Sequence, residues 1–213
     1  MLIYRFSFVF ILLLSGVLAA AQQPLTPTEI ASFKEKTTAS MKNIQSLQCN
    51  FTQTKVLSYL DDAVRSSGTL YFQSPGKIRW EYRTPTRYVV VFNNDRMYTR
   101  DKAGQVMETD FSGHKRFSAL SDVLSQVTGQ GNFFDESRFT TSYYKISNGY
   151  RAVLVPREKP LGRYIKQIEL SIDATSFLVK QVNITDPSGD YIQLDFTDQR
   201  KNLPVADDKF AIK

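Results

Sequence analysis

Alternation of apolar and polar residues along short segments is the feature of this sequence that most restricts its fold. Every second residue is apolar in segment 78–83, which reads Ile-Arg-Trp-Glu-Tyr-Arg. A period of two predicts a strand with one face buried and the other in solvent. Similar segments recur along the chain, separated by turn dipeptides such as Asn148-Gly149 and Ser188-Gly189. About ten antiparallel strands are predicted in this way.

Two helices are predicted in addition to the strands. Thr26 can cap the first helix, Pro27 suits its first position, and Glu29 completes a capping box. The second helix is predicted over Ser118–Val127, in the middle of the strand series. A large sheet cannot leave its apolar face in water, so it must close into a barrel, fold onto itself or be covered by helices.

The first 21 residues have the pattern of an export signal. A short basic start is followed by an almost continuously apolar run over residues 6–18 and by Ala19, Ala20 and Ala21. This pattern predicts a signal peptide that is cleaved after Ala21. No linker or internal repeat divides the remainder, so residues 22–213 are predicted to form a single domain outside the cytosol.

Histidine and cysteine, on which many catalytic sites and zinc sites depend, are nearly absent from the composition. The chain has one His, His114, and one Cys, Cys49, so a zinc site of His and Cys ligands is excluded. We find no nucleophile elbow and no phosphate-binding loop. The formal charge of +6 is spread along the chain, without the Lys/Arg run typical of nucleic-acid binding. We therefore expect no enzyme activity, no cofactor, no metal and no nucleic-acid partner.

The segment Gly68–Pro85 resembles the signature of the LolA family of periplasmic lipoprotein carriers. The shared pattern is a Gly, apolar alternation, Pro75 and then Arg-Trp-x-Tyr-x-x-Pro over residues 79–85. The upstream Phe51-Thr52-Gln53 resembles the end of the family's first strand, and Tyr88–Asp95 fits a later strand and turn. The predicted helix in mid-sheet agrees as well.

The resemblance implies a mainly β (α+β) fold, an incomplete antiparallel β-barrel of about ten to eleven strands. An N-terminal helix and a mid-chain helical lid would cover it and enclose a hydrophobic cavity for acyl chains. The partners implied are acylated lipoproteins, an inner-membrane ABC transporter of the LolCDE type and an outer-membrane acceptor such as LolB. We expect a periplasmic monomer.

The alternation and the resemblance together nominate two groups of residues. The acyl-binding cavity is expected to be lined by Leu47, Phe51, Leu70, Phe72, Ile78, Trp80, Tyr82, Ile168, Leu170, Ile172, Leu194 and Phe196. The lid is expected to be formed by Ile30, Phe33, Met41, Leu120, Val123, Leu124 and Val127.

One departure from the family pattern and three further functions remain open. Many family members have an Arg before the proline that holds the lid closed, and Ser74 stands at that position. Arg79 is expected to face away from Trp80, so it cannot take the place of the missing latch arginine. A sensor of stray lipoprotein, as in regulators such as RseB, would have a similar half-barrel and a further C-terminal domain. The second of these functions is a hydrolase built on His114. The third is a structural domain with a solid core.

Overall fold

The computed structural model describes residues 22–93, 96–110 and 135–212. Within these ranges the chain forms one antiparallel sheet of twelve strands. The predicted signal peptide, the second predicted helix and His114 lie outside the described residues. The strands are β1 (Gln23–Pro24), β2 (Ser46–Val56), β3 (Val64–Gln73), β4 (Lys77–Thr84), β5 (Tyr88–Asn93), β6 (Arg96–Arg100), β7 (Val106–Asp110), β8 (Phe139–Ile146), β9 (Gly149–Pro156), β10 (Gln167–Asp173), β11 (Val179–Thr185) and β12 (Tyr191–Lys201).

The strand order is β1-β8-β9-β10-β11-β12-β2-β3-β4-β5-β6-β7. The pairing of β12 with β2 joins the N-terminal and C-terminal series of hairpins into one sheet. Among the described residues the outermost strands, β1 and β7, do not pair with each other, so the sheet stays unclosed. This confirms the predicted fold class. The strand number of ten to eleven was slightly too low, because the pattern did not reveal the two-residue β1 and the short β7.

Helix α1 (Pro27–Lys42) begins as the sequence predicts. The Thr26 hydroxyl accepts the main-chain N–H of Glu29, and the Glu29 carboxylate accepts the main-chain N–H of Thr26. These two bonds satisfy donors that a helix start leaves unpaired. The buried stripe of the helix consists of Phe33, Thr37 and Met41, at spacings of four. Those spacings place the three side chains on one face, which packs on the sheet.

A main apolar core covers one face of the sheet, here called the inner face. Side chains at alternate positions of the strands contribute to it, as their period of two requires. Its largest fully buried side chains from the sheet are Leu47, Phe51, Leu70, Phe72, Leu154, Ile168, Leu170, Ile172, Val179 and Val182.

The opposite, outer face has a second and smaller core. Tyr71, Val89 and Val91 are buried there under Phe210, which belongs to a 3-10 turn at Asp207–Phe210. The continuously apolar run Tyr88–Phe92 predicts a strand covered on both faces, and β5 lies between the main core and this second core. The expectation that the whole outer face is solvated was wrong, because the C-terminal segment folds back over β4 and β5.

One predicted strand is shorter than expected. The apolar and aromatic residues of segment 164–172 predict a strand over that whole segment, whereas β10 begins at Gln167. A short helix, α2 (Lys159–Gly162), precedes it, and the N–H of Ile165 bonds to the carbonyl of Leu161 at 3.0 Å. Ile165 lies in that turn and its side chain is buried there. Its apolar side chain therefore fits the alternation of a strand although the residue is not in one. In the described part of the chain, no helix is long and apolar enough to span a membrane.

Candidate functional site

The register of β2, β3, β4 and β5 arranges the nominated residues in rows across the inner face. Directly paired residues on neighbouring antiparallel strands point to the same side of the sheet. The inner face therefore carries three consecutive rows, which are Leu47, Phe72, Ile78 and Phe92; Cys49, Leu70, Trp80 and Val90; and Phe51, Gly68, Tyr82 and Tyr88.

Aromatic rings dominate the centre of this face. The ring centroids of Phe51 and Trp80 lie 5.0 Å apart, and those of Phe51 and Tyr82 lie 5.1 Å apart, edge to face. Phe196 on β12 meets Trp80 at 6.3 Å. These distances are typical of aromatic pairs that add to the stabilisation from burial. The contacts bring β2, β4 and β12 together in one continuous apolar surface.

Gly68 provides the space for these rings. A Cβ atom at this position would overlap the main-chain carbonyl of Glu81 and would lie 2.9 Å from the Phe51 ring. The pairing register also shifts between Ser67 and Gly68, which marks a bulge. The glycine of the sequence signature therefore allows β3 and β4 to approach closely beneath the aromatic rings.

Two polar groups lie on this otherwise apolar surface. The Tyr82 hydroxyl donates a hydrogen bond to Gln53 Oε1 at 3.0 Å. Burial, with a smaller contribution from nearby Tyr88, raises the pKa of Tyr82 to about 12, so its hydroxyl keeps its proton at physiological pH. The indole Nε1 of Trp80 is buried and has no hydrogen-bond partner among the described residues. Sequence analysis identified Trp80 only as an apolar residue and gave no signal for this donor.

The nominated residues on β10 are all aliphatic. Ile168, Leu170 and Ile172 of β10 are buried, and Leu194 joins them from β12. All twelve nominated cavity residues belong to the main core, with eleven buried and Tyr82 partly buried at its margin. The structure thus brings together every residue of the set, and their contact with acyl chains stays a prediction.

Helix α1 covers the part of the inner face formed by β8 and β9. The Phe33 ring lies 4.7 Å from the Tyr150 ring and 5.7 Å from the Tyr143 ring, measured between centroids. The Ser40 hydroxyl donates to the main-chain oxygen of Ser176 at 2.7 Å. Of the nominated lid residues, Phe33 and Met41 are buried and Ile30 is partly buried. The remaining four, Leu120, Val123, Leu124 and Val127, lie outside the described residues.

Within the described residues, Ser74 and Arg79 form no latch of the kind that the family pattern implies. The N–H of Ser74 bonds to the carbonyl of Gln45 at 2.8 Å, at the start of β2. Arg79 faces outward, as predicted, where its Nε lies 3.0 Å from Glu81 Oε2 and its Nη1 bonds to the Lys209 carbonyl. Arg79 therefore holds the C-terminal segment on the outer face.

A pocket of about 540 Å³ lies at one end of β4, β5 and β6, at the margin of the sheet. Its acidic groups are already engaged, Glu81 by Arg79 and Asp101 by the N–H groups of Ala103 and Gln105. Tyr82 and Tyr88, which belong to the inner face, also line this pocket. The charged lining consists of Glu81, Arg83, Arg87, Arg100, Asp101 and Lys102.

The inner face offers little for metal or nucleophilic chemistry. The described residues contain no group of three or more His, Cys, Asp or Glu side chains that could hold a metal ion. Cys49 is buried in the inner face, and its burial raises the pKa of the thiol to about 12. A thiol with such a pKa is almost entirely protonated at neutral pH and is a poor nucleophile.

The fold and this face define an unclosed antiparallel barrel whose apolar inner surface is partly covered by a helix. The family model described as "Outer membrane lipoprotein carrier protein LolA" matches residues 42–213. The chain belongs to the LolA family.

Curated relatives carry the same description at low identity. An outer-membrane lipoprotein carrier protein of Cupriavidus taiwanensis is 24% identical over 204 residues, covering 93% of this chain and 92% of the relative. Another, from Methylococcus capsulatus, is 29% identical over 153 residues, covering 68% and 66%.

Solved structures show the same fold in proteins of diverse description. The Pseudomonas aeruginosa MucA/MucB complex contains a chain with a TM-score of 0.50 and 14% identity, covering 86% of this chain and 60% of that one. An uncharacterized conserved protein from Thermus thermophilus has a TM-score of 0.50 and 10% identity, covering 83% and 90%. At such identities the likeness concerns the fold alone.

Proposed function

We propose that this protein binds the acyl chains of lipoproteins on its inner face and carries them through the periplasm. The observation that carries this proposal is the continuous apolar inner face, to which all twelve nominated residues of the sheet contribute and part of which a separate helix covers. A carrier needs such a surface, and it needs a cover that is not an integral part of the sheet. The family's carrier description supports the same role.

The energetics explain why a carrier is needed. Each CH₂ group contributes roughly 0.8 kcal/mol to remaining out of water. Two or three acyl chains of about 16 carbons therefore amount to tens of kcal/mol, which makes unassisted escape from a membrane very slow. A protein that exchanges membrane contact for contact with its own apolar face removes most of this barrier.

The buried state of the inner face fits an empty carrier. In the proposed cycle, α1 and the nominated mid-chain lid pack on the sheet when no lipid is bound and move aside when acyl chains enter. Bound chains replace the contacts that Phe33 and Met41 make with the sheet. One apolar contact is thereby exchanged for another, and neither state leaves a large apolar surface in water.

The proposed route begins with export of the chain and cleavage of residues 1–21. An inner-membrane ABC transporter of the LolCDE type would load the lipoprotein, with ATP hydrolysis in the transporter supplying the energy. An outer-membrane acceptor of the LolB type would receive it. The protein itself carries out no covalent chemistry in this scheme and acts as a monomer.

A lipoprotein-sensing role is the second candidate, supported by the MucA/MucB complex among the structures with this fold. A sensor holds a partner protein and changes that contact when lipid binds, whereas a carrier releases its lipid to an acceptor. Transfer of a bound lipopeptide to outer-membrane vesicles separates the two roles, since only the carrier role requires it.

A charge placed on the inner face tests the acyl-binding proposal. Leu70 and Phe72 are 0% exposed, so a Glu at either position would endanger folding. Ile192 is only partly buried against the main core and is paired with Lys55, which can neutralise a carboxylate. We expect Ile192→Glu to lower the affinity for a dipalmitoylated lipopeptide at least tenfold in equilibrium dialysis.

Thr54→Glu is the matched control. Thr54 is also partly buried and lies next to Lys55, but on the outer face, paired with Arg65. We expect this variant to bind the lipopeptide within twofold of the unmodified protein. An Ile192→Glu protein with the circular dichroism of the parent and undiminished binding would contradict the proposal.

A further inference from the structure

Trp80 has an unpaired hydrogen-bond donor in the middle of the inner face. Its side chain is only 6% exposed, and Nε1 has no partner within the described part of the chain. Its surroundings are apolar, with Phe51, Phe196 and Leu70 as neighbours. An indole N–H that is shielded from water and has no hydrogen-bond partner lowers the stability of the folded protein.

The nearby polar side chain does not share this property. The Tyr82 ring stacks beside Trp80 with centroids 6.5 Å apart, but the Tyr82 hydroxyl already donates to Gln53. Of these two residues, only Trp80 has a hydrogen-bond donor without a partner among the described residues. A Phe at this position would keep an aromatic ring in the cluster and would avoid the unpaired donor.

An acyl chain differs from a plain alkyl chain by its carbonyl oxygen, which is a hydrogen-bond acceptor. Moving that carbonyl from water into an apolar site costs free energy unless a donor meets it. A buried carbonyl without a donor and a buried N–H without an acceptor are complementary defects, and one hydrogen bond removes both.

We propose that Trp80 Nε1 donates a hydrogen bond to the ester or amide carbonyl of a bound acyl chain. This inference rests on the proposed function and adds a specificity to it. The inner face selects acyl groups over hydrocarbon tails that lack a carbonyl. Trp80 then fixes how deeply the chain enters, because the carbonyl marks the end of the hydrocarbon tail.

A pair of lipids that differ only in the carbonyl tests this assignment. The probes are 1-palmitoylglycerol, an ester, and 1-O-hexadecylglycerol, an ether with the same chain length. Their dissociation constants are measured by equilibrium dialysis for the unmodified protein, for Trp80→Phe and for Tyr82→Phe. The quantity compared is the ratio of the ether constant to the ester constant within each protein, which cancels general effects on packing.

We expect Trp80→Phe to lower this ratio by about 2- to 10-fold, the range for one neutral hydrogen bond. Tyr82→Phe serves as the control and should leave the ratio unchanged, since that hydroxyl is paired with Gln53. Equal ratios in the unmodified protein and in Trp80→Phe would overturn the inference while leaving the proposed function intact. Failure of both lipids to bind the unmodified protein would overturn the proposed function as well, and the inference with it.

A second measurement needs no substitution. The chain has one tryptophan, so a ¹⁵N-labelled sample gives a single indole resonance. We expect the Nε1–H signal to move downfield when the ester binds and to remain near its original position when the ether binds. An indole shift of the same size with both lipids would contradict a bond to the carbonyl.

Discussion

Gly68 lies so close to the main chain of Glu81 that a Cβ atom on Gly68 would overlap the Glu81 carbonyl oxygen. The overlap is with backbone, so no side-chain rotation can relieve it. This contact sits beneath the Phe51 and Tyr82 rings, where β3 and β4 support the aromatic centre of the inner face.

The close approach makes Gly68 intolerant of any side chain. We expect Gly68→Ala to lower the free energy of unfolding by about 1–3 kcal/mol, because β3 and β4 must move apart to admit the methyl group. Gly162→Ala is the control, since a Cβ there meets no described atom within 4 Å. Urea denaturation measures both variants, and a Gly68→Ala protein as stable as the control would refute the close contact.

Thr37 offers the opposite case, a substitution that should stabilise the protein. Thr37 is 0% exposed on α1, and its hydroxyl has no hydrogen-bond partner in the described ranges. Valine has the same shape and lacks the hydroxyl, so Thr37→Val should raise the free energy of unfolding by about 1 kcal/mol. The half-buried Thr38 provides the comparison variant Thr38→Val. A loss of stability in Thr37→Val alone would reveal a hydroxyl bond that this structure lacks.

Asp173, in the turn between β10 and β11, should make the free energy of unfolding fall at acidic pH. The N–H of Ser176 bonds to Asp173 Oδ1 at 2.8 Å, Lys180 Nζ lies 2.9 Å from Oδ2, and together they lower the pKa of Asp173. A lowered folded-state pKa gives stability that is present above the ordinary Asp pKa and is lost as pH falls through the folded-state pKa.

We therefore expect Asp173→Asn to cost about 1 kcal/mol at pH 7 and to flatten the acid side of the stability profile. Asp61→Asn, in an exposed loop, should change neither. Thermal unfolding at several pH values between 2 and 7 measures both variants. Parallel acid profiles for the parent and Asp173→Asn would show that this carboxylate does not contribute.

Cys49 should be inert while the protein is folded. Its burial raises the pKa of the thiol from 9.0 to about 12, so the folded state holds the protonated form. The associated stability is present below pH 9 and is lost as pH rises towards the folded-state value. We expect no reaction with Ellman's reagent at pH 8 until a denaturant is added. Rapid labelling of the native protein would mean that the inner face opens without lipid.

The period-two pattern predicted the inner face well, because burial of one strand face acts directly on alternate residues. The capping box predicted the start of α1 for a similarly local reason. The predicted start of β10 was wrong because of Ile165, since a turn can bury an apolar side chain as completely as a strand does. The cover of Val89 and Val91 by Phe210 depends on contacts more than a hundred residues apart, which no local pattern reveals.

The site was predictable as a set of apolar residues but not as a chemical environment. Alternation placed Trp80 on the inner face. Whether its Nε1 has a partner depends on the position of every side chain around the indole, which the sequence pattern does not give. The bond between Tyr82 and Gln53 likewise joins strands that are not adjacent in the sheet, which follows from ring size and from the missing side chain at Gly68.

Quenching of Trp80 by a brominated acyl chain tests the central claim most directly. Trp80 is the only tryptophan and lies in the centre of the inner face, and bromine quenches indole fluorescence on contact. Titration with a dibrominated stearoyl lipopeptide should quench the emission to a saturating level, and the unbrominated lipopeptide should compete the quenching away. Saturable binding of the brominated lipopeptide, measured by dialysis, with unchanged Trp80 emission would place the lipid elsewhere and contradict the claim.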